Sequence, residues 1–307
     1  MMQVITYTKR GLAVSDTIPK TLAGKKVWIH LTDPTEREFF ALQQTYDIHP
    51  LTIEDMVHQT ARLKIETFKK YTFCVFSQIK QTNHIKFTPM YYLIGKKFLI
   101  TYTQEPFEPI THTGQKILFE KGMDWLFHRL LDKEVDKYFP ILDKIEEQVN
   151  KLERDAFNKD DSVSKDIVLL RRKVTSIKHR TLVMQEKIST LIKSQEAYIS
   201  SGLVPYMRDI LDHTYHLTEL SESLRDTIRT AYEIYISEVS RQSNDVMKVF
   251  SIIATLMLPL TVISGIYGTN FKNLPGMFHP NGFWIMIGGM MVLMLVMIYY
   301  FKRKKWF

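Results

Sequence analysis

The sequence predicts an α/β domain joined, through a helical region and one long helix, to a pair of membrane-crossing helices near its C-terminal end. Three observations carry this. Up to about Lys121, short β-branched and aromatic runs alternate with charged helical stretches. From Met123 onward the pattern turns helical, with few breakers apart from Pro140, Gly202 and Pro205. Finally, no Asp, Glu, Lys or Arg occurs from Val249 to Phe271, nor from Asn273 to Phe301. The expected division is therefore an α/β domain over 1–122, a helical region over 123–204, a long helix over 205–248 and a membrane hairpin with a basic tail over 249–307.

In the first segment, strands are expected at Lys26 to His30, Tyr71 to Gln78, Met90 to Ile94 and Lys97 to Thr103, with helices near Thr35 to Gln44 and Leu51 to Met56. After Pro205 there is no proline until Pro259 and no glycine until Gly265, so one helix can run on for some sixty residues. That is roughly 90 Å at 1.5 Å per residue. Leu217, Leu224 and Ala231 are seven apart on it, as are Leu220, Thr227 and Ile234. Such a seam fits association between chains, and equally packing against Ile167 to Val174 and Leu182 to Ile192 of the same chain.

About twenty apolar residues are needed to cross a bilayer core. The first crossing is expected over 249–266, the connection over 267–282 and the second crossing over 283–301. Lys302, Arg303, Lys304 and Lys305 follow the second crossing, Arg241 and Lys248 precede the first, and the connection holds only Lys272. The positive-inside bias then places both termini in the cytoplasm. Tyr299, Tyr300 and Trp306 at one end and Phe283 and Trp284 at the other suit the two interfacial aromatic belts.

The first crossing has a small and polar stripe. Asn244, Ser251, Leu258 and Gly265 are seven apart, and Met247, Ala254, Thr261 and Gly268 interleave with them, while Ile252, Leu256, Leu260 and Ile263 fall mostly elsewhere. Two readings stand: the lining of a pathway built from several copies, since one hairpin encloses no water, or a face for close helix packing. Pro259 removes the hydrogen bond to the carbonyl of Thr255, which allows a kink there.

Composition narrows the function class. The formal net charge is +8, but Arg10, Lys20, Lys25, Lys26, Lys69 and Lys70 are scattered and no nucleic-acid module is recognisable, so nucleic acid is not an expected partner. Cys74 is the only cysteine, which excludes an intrachain disulfide. The start, Met1-Met2-Gln3-Val4-Ile5, lacks the pattern of a cleaved secretory signal. Neither a phosphate-binding Gly-rich loop nor a His-Glu-x-x-His motif is present, so neither ATP-driven pumping nor metallopeptidase activity is expected; the chain reads as no enzyme, with no organic cofactor.

The first crossing ends in Ile266-Tyr267-Gly268-Thr269-Asn270-Phe271, after Leu258-Pro259-Leu260-Thr261. This resembles the CorA family of divalent-cation transporters, whose signature at that place is Tyr-Gly-Met-Asn-Phe. The likeness extends upstream through His49-Pro50-Leu51-Thr52-Ile53-Glu54-Asp55 and His58 to Glu66. The resemblance implies a homopentamer in the inner or plasma membrane, with a cytoplasmic α/β funnel, a stalk helix from each subunit and a central pore. It implies that Gly268, Thr269 and Asn270 form the ion entrance, and that Asn244, Met247, Phe250, Leu258 and Thr261 line the pathway, with Phe250, Met247 and Leu258 as its constriction. It further implies that Asp55 and Asp209 bind the transported ion as regulators between subunits, with Glu233 as a second acidic position in the stalk; surface acids are the plain alternative for these.

Magnesium suits such an entrance, because it dehydrates reluctantly and a ring of amide oxygens can hold its water shell. Cobalt and nickel are the further expected ions. Thr269 stands where the family has methionine, and its hydroxyl is expected either to alter the mouth or to add an oxygen. The alternatives carried are a ZntB-like zinc transporter coupled to protons and a non-conducting membrane-anchored sensor or scaffold.

Overall fold

The computed structural model describes residues 2–9, 11–19, 21–58, 62–81, 85–104, 112–158, 163–194, 197–276, 278–304 and 306. Arg10, Lys20 and Lys305 lie outside the described residues. The chain divides into two compact units, residues 1–155 with 160–232, and residues 156–159 with 233–307.

The first unit is built on seven strands: β1 (Met2–Thr8), β2 (Gly11–Ser15), β3 (Lys26–Thr32), β4 (Lys64–Thr67), β5 (Tyr71–Gln81), β6 (Ile85–Gly95) and β7 (Phe98–Thr103). They form one sheet in the order β2-β1-β3-β7-β6-β5-β4. Every neighbouring pair is antiparallel except β3 with β7. The four predicted strands are present and mostly longer than expected. β1, β2 and β4 lie outside the predicted set. The two edge strands among them, β2 and β4, are short and at most half-buried, and become strands because a neighbour offers them a ladder of hydrogen bonds.

Alternation along the strands gives the sheet two apolar faces. Val27, Ile29, Leu31, Phe73, Val75 and Leu93 share a core with Phe39, Leu42 and Tyr46 of α1 (Glu36–Tyr46) and Met56 of α2 (Pro50–His58). Helix α1 opens on a capping box, in which the Glu38 amide donates to Thr35 Oγ1 and the Thr35 amide donates to Glu38 Oε2 at 2.7 Å. It stops at Asp47, which takes a left-handed φ of 53°. On the other face, Phe76 and Tyr92 pack on Phe127 of α4 (Met123–Asp136), which follows α3 (His112–Lys121). Tyr138 donates to the Ser77 carbonyl, and Arg180 donates to Ser77 Oγ.

The same face buries a polar group. His30 Nδ1 lies 2.8 Å from Thr101 Oγ1, to which Trp28 Nε1 also donates. Burial pulls the His30 pKa down from 6.5 to about 4.

Helices α5 (Phe139–Asn158) and α6 (Val163–Lys193) follow, and then α7 (Val204–Tyr267), one helix of 64 residues that continues through Pro259. The buried side of α6 is Ile167, Leu170, Val174, Ile177, Thr181, Met184 and Ile188; that of α7 is Met207, Ile210, Thr214, Leu217, Ser221, Leu224, Ile228 and Ala231. Both repeat alternately at three and four residues, the spacing of two helices packed lengthwise. Cross-links join them: Gln185 Nε2 donates to the Thr214 carbonyl and to Thr218 Oγ1, both at 2.8 Å, and Thr218 Oγ1 donates to Thr181 Oγ1 at 2.9 Å.

The seam differs from expectation in one series. Leu217, Leu224 and Ala231 are buried, but Leu220, Thr227 and Ile234 are only half-buried, and Leu182 is exposed. The second buried series is instead Thr214, Ser221 and Ile228. Its hydroxyls are tolerated there because Thr214 donates to the Leu211 carbonyl and Ser221 to that of Leu217.

The depressed pKa of His30 makes a prediction. The folded chain keeps it neutral, whereas the unfolded chain takes up a proton below about pH 6.5, so stability present above pH 6.5 is lost as pH falls toward 4, by an amount on the order of 3 kcal/mol at most. Acid titration of the thermal midpoint should be shallower across this window for His30→Gln than for wild type; equal slopes would reject it.

Candidate functional site

The second unit holds the outer half of α7 and α8 (Gly282–Arg303), and both helices are long and apolar enough to cross a membrane. On α7, Ile252 is buried and Leu256, Pro259, Leu260 and Ile263 are half-buried, forming one stripe. Asn244, Met247, Phe250, Leu258 and Thr261 are all exposed. At 100° per residue these five centre on the side opposite the packed stripe, so none of the described residues covers them.

The hydroxyls of this helix turn back on their own backbone. Ser251 donates to the Met247 carbonyl, Thr255 to that of Ser251 and Thr261 to that of Met257, at 2.7–2.9 Å. Where water is scarce, a donor must be satisfied locally, and each oxygen then keeps lone pairs turned outward. The proline removes a donor to the Thr255 carbonyl without ending the helix.

At the end of α7, the Gly268 amide donates to the Ser264 carbonyl at 2.9 Å. A Cβ on Gly268 would stand 3.1 Å from that oxygen, which favours glycine there. Thr269 Oγ1 donates to the Ile266 carbonyl at 2.7 Å, so its hydroxyl closes the helix end. Asn270 is exposed, and among the described residues its amide has no side-chain hydrogen bond. Tyr267 reaches across to donate to the Pro275 carbonyl, 3.1 Å away, and Gly276 takes a φ of +82° beyond it. Helix α8 begins at Gly282, where a Cβ would meet the Gly276 carbonyl oxygen at 2.3 Å, and it ends in Lys302 and Arg303. Asn270 is thereby exposed between a tied helix end and the Tyr267–Pro275 bond.

A glycine-threonine-asparagine turn after the first of two long apolar helices, in a chain with a seven-stranded α/β domain, is a narrow combination. The family model described as CorA-like Mg2+ transporter protein matches residues 24–303. The chain belongs to this family. It is 32% identical to the cobalt/magnesium transport protein CorA of Thermotoga maritima, over 95% of this chain and 87% of that protein. Its fold is that of the complete CorA magnesium transporter structure from Methanocaldococcus jannaschii, with a TM-score of 0.87 at 20% identity, covering 100% of this chain and 99% of that one. The ZntB cytoplasmic domain from Vibrio parahaemolyticus is also similar, with a TM-score of 0.63 at 13% identity over 78% of this chain and 98% of that one.

The regulatory acids that CorA resemblance assigned are not brought together within one chain. Asp55 on α2 is half-buried and ion-paired with Lys64, which also lies 3.1 Å from Glu66. Any cation at Asp55 has to compete with that ammonium. Asp209 is exposed on the first unit's part of α7, and Glu233 is exposed further along the helix. Sequence reasoning missed a cluster: Asp132 and Asp136, one turn apart on α4, with His213, one turn beyond Asp209 on α7, have ligand atoms within 4.8 Å of one another. The side-by-side run of α4 and α7, set by His128 against Tyr206 and Asp136 against His213, puts them together. His213 Nδ1 is 3.3 Å from Asp136 Oδ1 without hydrogen-bond alignment. Burial, and then the charge of Asp132, raise the Asp136 pKa.

Two carboxylates and an imidazole suit a borderline divalent ion such as Co2+ or Ni2+ better than Mg2+. The i, i+4 acids of α4 were visible in the sequence; their partner, some eighty residues away, was not. Isothermal titration with Co2+ near pH 7 should show a site weakened about tenfold or more in His213→Ala, with Mg2+ affected less; equal Co2+ affinity in both proteins would exclude the cluster as a ligand set.

Proposed function

We propose that this CorA family chain assembles as a homopentameric channel for hydrated divalent cations in the cell membrane, with both termini cytoplasmic, and that Mg2+ is its principal cargo, with Co2+ or Ni2+ also carried. The observation that carries this reading is the uncovered stripe of α7 leading to Asn270, whose amide has no side-chain hydrogen bond among the described residues. Several copies, stripes inward, make a water-filled path that one hairpin cannot.

In this reading the Asn270 amides receive the ion with its water shell, at lower cost than stripping it. Gly268 and Thr269 shape the turn that presents them. Thr261, Leu258, Phe250, Met247 and Asn244 line the path inward, with Phe250, Met247 and Leu258 as the dewetting constriction. A divalent cation moving inward gains about 4.6 kcal/mol per 100 mV of membrane potential, so uptake needs no nucleotide. Asp55, Asp209 and Glu233 are proposed to bind the ion at the cytoplasmic side, where it relieves carboxylate repulsion when abundant and favours closure. The relatives and family description name magnesium and cobalt, which weighs for these ions over zinc.

Two outcomes test the proposal. Liposomes carrying the wild type should take up Mg2+ under an inside-negative potential, and Asn270→Ala should reduce the initial rate about tenfold or more; equal rates would remove Asn270 from the mouth. Thr269→Val, which keeps the shape and loses the hydroxyl, should leave the ratio of Mg2+ to Zn2+ flux within about twofold, because the hydroxyl proton is already given to Ile266. A changed ratio would make that hydroxyl a selectivity element.

A further inference from the structure

The first unit carries a basic groove that neither the pathway nor the acidic cluster uses. It lies between α6 and α7, has a volume of about 1270 Å3 and is lined by Arg171, Arg172, His179, Arg225 and Arg229, over Ile167 and Ile228. Asp226 is the single acid in it, 3.7 Å from Arg225. The bond from Thr218 to Thr181 and the pair Lys178 with Glu222 set an antiparallel register that carries Arg171 opposite Arg229, and Thr175 opposite Arg225. Folding alone gains nothing by facing arginine with arginine, since like charges directly opposite are destabilising. Among the described residues, Arg171 and Arg172 are exposed and have no acidic partner.

The same chain offers the complementary charge at the same height. On α5, Asp143, Glu146 and Glu147 are exposed within little more than one turn, and none has a cationic partner among the described residues. Lys173 Nζ donates to Gln148 Oε1, which places Glu146 and Glu147 level with Val174 and Thr175 of α6, hence with Arg225. A rotation about an axis running along these helices keeps level residues level. A contact between two different faces of one chain, repeated by rotation, closes a ring.

Resting on the oligomeric channel proposed above, we infer that the arginine groove of one copy receives the acidic α5 face of its neighbour, and that this heterologous contact closes the cytoplasmic ring. Arg171, Arg172 and Arg225 take the carboxylates of Asp143, Glu146 and Glu147 of the adjoining copy. Each exposed pair is weak, but several together fix orientation and exclude the mirrored, like-charged docking.

The test uses the full chain in detergent micelles, followed by native mass spectrometry and light scattering over a range of concentrations. Arg171→Glu with Arg172→Glu should raise the concentration of half-assembly about tenfold, and adding Glu146→Lys with Glu147→Lys should restore it to within about threefold. Because all four positions are exposed, helix content should stay at the wild-type value, and restoration by the exchanged pair separates lost contact from lost fold. A monomeric wild type would sink the oligomeric channel itself. An oligomeric wild type whose assembly ignores the reversed arginines, or is not restored by the exchange, sinks the docking alone. So does saturable pyrophosphate binding that the arginine reversal abolishes without changing assembly, which would give the groove to a phosphate.

Discussion

The seam between α6 and α7 sets the positions of most other features. Its hydrophobic positions alone would tolerate sliding by one heptad, because aliphatic side chains repeat along it. The bonds of Gln185 to Thr214 and Thr218, and of Thr218 to Thr181, do not tolerate it, since a slip would leave these polar groups buried and unpaired. One register results. It brings Lys178 to Glu222 and carries Arg171 opposite Arg229.

The bilayer imposes a second constraint on the same helix. Backbone and hydroxyl groups within it must find partners without water, and the outer half of α7 meets this by keeping the helix unbroken through Pro259 and returning Ser251, Thr255 and Thr261 to its own carbonyls. The hydroxyls of this half therefore have their protons used and their remaining lone pairs free. This is compatible with a cation that keeps its water shell, which needs acceptors nearby but no direct ligands. At the end of α7, Thr269 follows the same rule. Its hydroxyl gives its proton to the Ile266 carbonyl, and Asn270 beyond it is exposed.

Much of the fold was legible because its signals are local. The strands at Tyr71, Met90 and Lys97, the helices after Thr35 and His49, and the two charge-free spans were readable from alternation, capping residues and charge. The edge strands β2 and β4 were not, because their short polar sequences become extended only where a neighbouring strand pairs with them. The series Leu220, Thr227 and Ile234 was readable as a seam from its spacing, whereas the buried Thr214, Ser221 and Ile228 were not, because hydropathy alone favours the former. The choice went the other way because α6 supplies Gln185 and Thr181, which no property of α7 can reveal.

By itself the sequence determined the order of elements, the length of α7, the membrane hairpin and the Gly268-Thr269-Asn270 motif, since each depends on residues close together in the chain. Only the tertiary structure decided which acids meet. It paired Asp55 with Lys64, set Asp132 and Asp136 against His213, and placed arginines face to face across α6 and α7. These are matters of electrostatics between distant segments. Their energies depend on separation and burial, and both are fixed by packing rather than by spacing along the chain.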